Sequence, residues 1–201
     1  AETQKPTLIV APLTLLENWK DEVAKTFQTS PFRDIVILQS DGELCRFKSG
    51  GVEIRSNSNE DGEYEPRYSL NIGKEQPDRL DMPGRLIITT YQTLRDYQFS
   101  LCLIDWGLVV FDEAQNIKNP NALQTRAAKG LKAEFKLIAT GTPVENSLAD
   151  FWCLMDTACP EYLGGYQEFR SEYISPILQA AGDEVEEVRS RVGRELRIQV
   201  G

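Results

Sequence analysis

The chain is predicted to be an α/β domain, a three-layer parallel sheet with helices on both faces and one polar insertion. Three observations predict this. Short apolar, β-branched runs recur at residues 7–11, 34–38, 85–89, 107–111 and 136–139, as buried strands do when both sheet faces are covered. Helical patterns fill the connections, and alternating strand and helix is the signature of a parallel sheet. The chain has 201 residues, 41% of them hydrophobic and 26% charged, enough for one domain with a sizeable core.

The first run leads into an amphipathic helix with Leu16, Trp19, Val23 and Phe27 on one stripe. Thr14 and Glu17 have the T-x-x-E spacing of a capping box and are expected to start it. Residues 40–84 break the pattern, being polar, acidic and rich in Gly, Ser, Asn and Pro, and are too long for an ordinary connection. Val52 and Ile54, then Tyr68, Leu70 and Ile72, alternate as strands do, so this segment reads as a hairpin insertion or a disordered loop. If it is peripheral, a short Gly/Ser link should replace it at little cost, because loop closure depends weakly on length.

Asn119-Pro120 is predicted to open a second helix that ends near Gly130. Thr142, Pro143 and Glu145 have the pattern for opening a third. Leu148, Phe151, Trp152 and Met155 follow at i, i+3, i+4 and i+7, a core stripe. From Asp183 a last amphipathic helix runs acidic first and arginine-rich later, matching the helix dipole. It stops at Gly201 without a turn or tail. The expected organisation is a partial lobe over residues 1–182, with its insertion at 40–84, and a C-terminal helix over 183–201.

Composition excludes several chemistries. The chain has no histidine, which removes Ser-His-Asp and Cys-His nucleophiles, histidine-ligated zinc and histidine proton shuttles. Cys45, Cys102, Cys153 and Cys159 lack C-x-x-C spacing and read as reduced thiols. No apolar run approaches the roughly 20 residues of a membrane span, and no signal peptide is visible. A cytoplasmic or nuclear setting without membrane contact is the default. The net charge of -9 argues against a bulk electrostatic grip on nucleic acid. Binding through backbone amides and helix N-termini stays open.

The chemistry gathers at strand ends, where ligands bind in parallel sheets. Residues 108–113 form an apolar run closed by Asp112 and Glu113. At such a strand tip an aspartate can hold Mg²⁺ through water and a neighbouring glutamate can polarise the attacking water. Asp112 to Gln115 reads DEAQ and continues through Asn116-Ile117-Lys118-Asn119. One helix and one strand later comes Thr140-Gly141-Thr142-Pro143, while upstream stand LIVAPLTLLENWKDE and IITTYQTLRDY.

In that order these segments resemble the first RecA-like lobe of the SWI/SNF family of helicase-like ATPases, in superfamily two. PLTLLENW is similar to its motif Ia, ITTYQTL to motif Ib, DEAQNIKN to motif II and TGTPVENSLADFW to motif III. Phe169, Tyr173 and Ser175-Pro176-Ile177 resemble the family's F…Y…PI stretch. The resemblance implies a RecA-like fold, hydrolysis of ATP with Mg²⁺, and translocation on double-stranded DNA by two lobes in cis. Residue by residue, it implies that Asp112 holds the Mg²⁺ shell and Glu113 activates water. Gln115, where many relatives carry histidine, would link the nucleotide edge to motif III. Thr140, Gly141 and Thr142 would couple hydrolysis to lobe movement. Pro12, Leu13 and Thr14 would meet a DNA phosphate, with Thr89, Thr90 and Tyr91 along the same track. Lys118, Arg126, Lys129 and Lys132 would add phosphate contacts or simply be solvated.

The P-loop pattern G-x-x-x-x-G-K-[ST] is absent from these residues. Gly73-Lys74 is followed by Glu75 in the polar insertion, which would repel phosphate. The resemblance places the P-loop before Ala1, and the second lobe with its arginine finger after Gly201. Gln115 resembles bacterial members, which favours a bacterial cytoplasm over a nucleus. The leading expectation is thus part of an ATP-dependent DNA translocase. Two alternatives stand beside it: a lobe of another superfamily-two motor, which the NIKN and ENSL segments disfavour, and a non-hydrolysing scaffold lobe, against which the intact Asp112-Glu113 pair argues.

Overall fold

A computed structural model of the chain describes residues 4–39, 43–53, 67–141, 147–182 and 184–200. Strand β1 (Thr7–Ala11) is buried at all five positions, and its side chains alternate between two cores. Leu8 and Val10 enter the larger one, Ile9 and Ala11 the smaller. This is why the run is apolar throughout rather than at every second residue. After a 3₁₀ turn over Leu13–Leu15 comes α1 (Leu16–Thr26), which covers the smaller core with Leu16, Trp19 and Val23.

β2 (Ile35–Leu38), β5 (Leu86–Thr90), β6 (Asp105–Phe111) and β7 (Lys132–Ile138) complete a five-stranded sheet in the order β2-β5-β1-β6-β7. Every pairing in it is parallel. α3 (Tyr91–Asp96), α4 (Gln98–Cys102) and α5 (Leu123–Gly130) lie on the larger core. α6 (Leu148–Ala158) touches two clusters. Its Leu154 enters the sheet core, while Trp152 and Cys153 join Phe169, Tyr173, Val192 and Leu196. That second cluster unites α6 with α7 (Tyr166–Phe169), a π-turn over Arg170–Ile174, and α9 (Glu184–Val200). The short α8 (Ser175–Gln179) links the π-turn to α9. All four cysteines are free thiols.

Three expectations change. Thr14 lies inside the 3₁₀ turn, which Leu15 closes by donating its N–H to the Pro12 carbonyl at 2.9 Å. The chain is already coiled at Thr14, so no capping box with Glu17 forms, and α1 starts without a side-chain cap. Asn119-Pro120 makes a turn in which Asn119 Oδ1 accepts from the Asn121 N–H at 3.0 Å, and α5 begins three residues further on. Ser147 caps α6 by accepting from the Asp150 N–H. The opening expected at Thr142, Pro143 and Glu145 lies outside the described residues.

The third change concerns the insertion. Its hairpin is present, β3 (Lys48–Glu53) pairing antiparallel with β4 (Arg67–Leu70), with Val52 opposite Tyr68; Ile54 lies outside the described residues. It is not peripheral, however. Leu44 and Phe47 of α2 (Glu43–Phe47), with Leu70 and Leu80, are at most 3% exposed and belong to the main core. The Leu70 N–H donates to Ser100 Oγ on α4 at 2.9 Å. Arg85, which closes the segment, forks onto Asp34 with Nε–Oδ1 of 2.8 Å and Nη2–Oδ2 of 2.7 Å, and its guanidinium lies over the Phe47 ring.

Candidate active site

The tips of β1, β6 and β7 are tied together by their backbones. The Asp112 N–H donates to Val10 O, the Ala139 N–H to Phe111 O and the Ala114 N–H to Ala139 O, at 2.8, 2.8 and 3.0 Å. Parallel strands in register end at one level, so residues 25 or more apart in sequence meet at one edge. Glu113 breaks the strand sharply with φ 50° and ψ 51°, a left-handed conformation uncommon for any residue but glycine. The reversal sends the chain into a 3₁₀ turn over Ala114–Ile117.

The side chains of Glu113, Gln115 and Thr140 form a line across the edge, joined to the Asp112 carboxylate through the Glu113 backbone. Asp112 Oδ1 accepts from the Glu113 N–H at 3.0 Å. Asp112 Oδ2 accepts from the indole N–H of Trp19 at 2.8 Å. Glu113 Oε2 accepts from Gln115 Nε2 at 2.8 Å, and Gln115 Oε1 accepts from Thr140 Oγ1 at 3.1 Å. Glutamine has the donor and acceptor this relay needs on one amide. The structure therefore brings Asp112, Glu113, Gln115 and Thr140 together; Gly141 follows at the exposed end, and Thr142 lies outside the described residues.

Tyr91 and Trp19 belong to this site in ways the sequence did not show. Tyr91 is 5% exposed, and its hydroxyl donates to the Asp112 carbonyl at 2.7 Å. Burial, then the nearby carboxylates of Asp112 and Glu113, push its phenol well above the ordinary range, so it remains a donor. Tyr91 is thus a support of the carboxylate strand tip, and it also lines the neighbouring cleft. Thr89 also turns inward, donating to Leu38 O at 2.8 Å, and Thr90 caps α3 by accepting from the Thr93 N–H. Thr90 and Tyr91 nevertheless line the cleft beside this site, whereas Thr89 is fully buried. Trp19 read as part of a core stripe. The available signal was that an indole on such a stripe still needs an acceptor for its N–H.

Beside this line a cleft of about 450 Å³ runs past Pro12, Leu13, Gln39, Gln92, Asn116 and Gln124. Its lining mixes these amides with Lys48, Asp96, Thr90 and Tyr91, and Leu13 is 58% exposed. Thr14 is exposed on the same turn. Of the basic candidates, Lys118 pairs with Asp150 at 3.8 Å and Lys129 with Asp156. Arg126 and Lys132 are exposed.

Among the described residues no group of three or more acidic or thiol ligands gathers to hold a metal. The two carboxylates fit a different arrangement, since Mg²⁺ is usually held by one or two carboxylates with water and substrate phosphates rather than by an all-protein cage. No helix among the described residues is long and apolar enough to cross a membrane.

A parallel sheet with covered faces and a carboxylate pair on a central strand tip defines a RecA-like α/β lobe. Comparison with known proteins agrees. The model for the SNF2-related domain matches residues 1–196. The chain belongs to the SNF2-related family. It is 39% identical over 194 residues to Zorya protein ZorD of Escherichia coli O139:H28 (strain E24377A / ETEC), covering 93% of this chain and 16% of that protein. It is 34% identical over 179 residues to Protein CHROMATIN REMODELING 8 of Arabidopsis thaliana, covering 86% and 15%. Among solved structures, the Sulfolobus solfataricus SWI2/SNF2 ATPase core in complex with dsDNA matches with a TM-score of 0.60 at 28% identity, covering 96% of this chain and 32% of that one. The chain therefore spans about a sixth of the length of these curated relatives.

Proposed function

We propose that this chain is part of the first motor lobe of an ATP-dependent translocase on double-stranded DNA, working with a second RecA-like lobe in cis in a bacterial cytoplasm. The observation that carries the reading is the connected line from Asp112 through Glu113 and Gln115 to Thr140. Bound ATP with Mg²⁺ supplies the phosphoanhydride to be cleaved and the charge that stabilises its transition state. Asp112, its carboxylate fixed at both oxygens, would hold the metal. Glu113 takes the proton of the attacking water. Gln115 keeps Glu113 oriented and links it to Thr140, so a change at the nucleotide edge reaches Thr140, Gly141 and Thr142.

The cleft is the DNA track in this reading, with Pro12, Leu13, Thr90 and Tyr91 in its lining and Thr14 exposed on the same turn as Leu13. Lys118 would add a phosphate contact on leaving Asp150. Amide and backbone donors suit a chain of net charge -9, because they bind phosphate without a basic surface. The Sulfolobus solfataricus SWI2/SNF2 ATPase core, a solved relative, is in complex with dsDNA, which supports this choice of partner. The test is Glu113→Gln in the intact motor. Nucleotide binding should persist while DNA-stimulated phosphate release falls about 100-fold or more; undiminished turnover removes Glu113 from the chemistry.

A further inference from the structure

Trp19 stands 93 residues before Asp112, yet its indole N–H reaches Asp112 Oδ2 at 2.8 Å. Leu16, one turn earlier on α1, is 1% exposed and anchors the helix, while Trp19 itself is half-buried against the same core. A half-buried indole could have donated to water. Instead it donates to a carboxylate, a charge-assisted bond and one of the stronger kinds. With the Glu113 N–H on Oδ1 at 3.0 Å, each carboxylate oxygen has one fixed protein donor and one side left for another partner.

We propose that Trp19 is a positioning residue for the metal: its indole locks the rotation of the Asp112 carboxylate, so that the free lone pairs are set before Mg²⁺ and its water shell arrive. This rests on the reading of Asp112 as the residue that holds Mg²⁺. Mg²⁺ demands near-ideal octahedral geometry and gives up water reluctantly, so a carboxylate free to swing is a poorer partner than one already aimed. Groups that orient a metal ligand from behind are typically worth 10- to 100-fold in metal affinity. The chain's other indoles serve elsewhere, Trp106 donating to Leu101 O and Trp152 to Gly164 O.

The test is a Mg²⁺ titration of the 201-residue chain, without nucleotide, followed by amide and indole NMR signals. In the wild type, the Trp19 indole and the Glu113 amide should move together with one midpoint, while the Trp106 and Trp152 indoles stay still and report an intact fold. Trp19→Phe keeps most of the apolar ring and removes the donor; the Glu113 midpoint should rise about tenfold. Trp19→His, whose Nε2 occupies the ring position of the indole nitrogen, should recover part of that loss. Asp112→Asn should abolish the response. A Glu113 midpoint unchanged in Trp19→Phe overturns the positioning role alone. A wild-type chain in which Mg²⁺ moves the same signals as in Asp112→Asn overturns the metal role of Asp112, and the positioning role with it.

Discussion

At the scale of single residues, Asp34 and Arg85 show how a charge pair secures the sheet far from the chemistry. Arg85 is buried, and it also donates to the Arg79 carbonyl at 2.7 Å. Its bond to Asp34 holds that carboxyl below the ordinary value of 3.8. A carboxyl whose folded pKa is lowered stabilises the fold above its unfolded value, and the benefit is lost as pH falls through the folded one. Asp34→Ala should therefore cost about 2 kcal/mol in urea unfolding near pH 7. This is less than a fully buried pair would cost, because the Asp34 side chain is 40% exposed. The gap between wild type and variant should close as pH falls below 3.8; a gap constant with pH would deny the pair its role. Legibility at this scale follows local sequence. Asp112, Glu113 and Gln115 are contiguous or nearly so and could be read directly. The partners of Asp112 could not, since Trp19 and Tyr91 come to it from other elements through long-range packing, and nothing local distinguishes a tyrosine that faces a ligand from one that supports a backbone carbonyl.

At the scale of elements, four of the five sheet strands were legible to within two residues because they are buried on both faces and read as unbroken apolar runs. β7 was read four residues short. It is an edge strand, and its polar Lys132 and Glu134 face solvent, so the apolar signal begins only at its second half. Helix starts were less legible, because capping residues such as Thr14 and Asn119 mark turns as readily as helices. The insertion carries the sharpest prediction. Replacing residues 40–84 with a short Gly/Ser link removes Leu44, Phe47, Leu70 and Leu80 from the core. At roughly 1.5–3 kcal/mol for each large apolar side chain, this should exceed the stability of an ordinary domain's margin, about 5–15 kcal/mol, or consume most of it. Loss of the cooperative thermal transition in the shortened chain is the expected result. Retention of the wild-type midpoint would show that the four side chains contribute little.

At the scale of the whole molecule, the chain holds the carboxylate edge without a phosphate-binding loop of the G-x-x-x-x-G-K-[ST] kind. Asp112 and Glu113 then present two negative charges to a polyanion, with Mg²⁺ as the only mediator. The 201-residue chain by itself should bind ATP poorly and not hydrolyse it, since converging loop amides and a lysine normally cradle the phosphates. Calorimetry with an ATP analogue and Mg²⁺, with phosphate release measured with and without duplex DNA, checks this. Micromolar affinity or DNA-stimulated turnover would contradict it. The sheet also has an open margin: among the described residues β7 pairs only with β6, and Phe135 and Leu137 are 62% and 46% exposed beside it. Edge strands usually repel copies of themselves with like charges. Here Glu134 is held by Lys5 at 2.8 Å and Lys136 donates to the Lys129 carbonyl at 3.2 Å. Neither charge is turned toward a second copy, and the exposed apolar pair lacks that protection. A strand edge with free backbone groups and two exposed apolar side chains is a template for a further strand. Scattering from a dilution series of this chain should therefore fall more steeply than concentration does, and Phe135→Lys should abolish that excess.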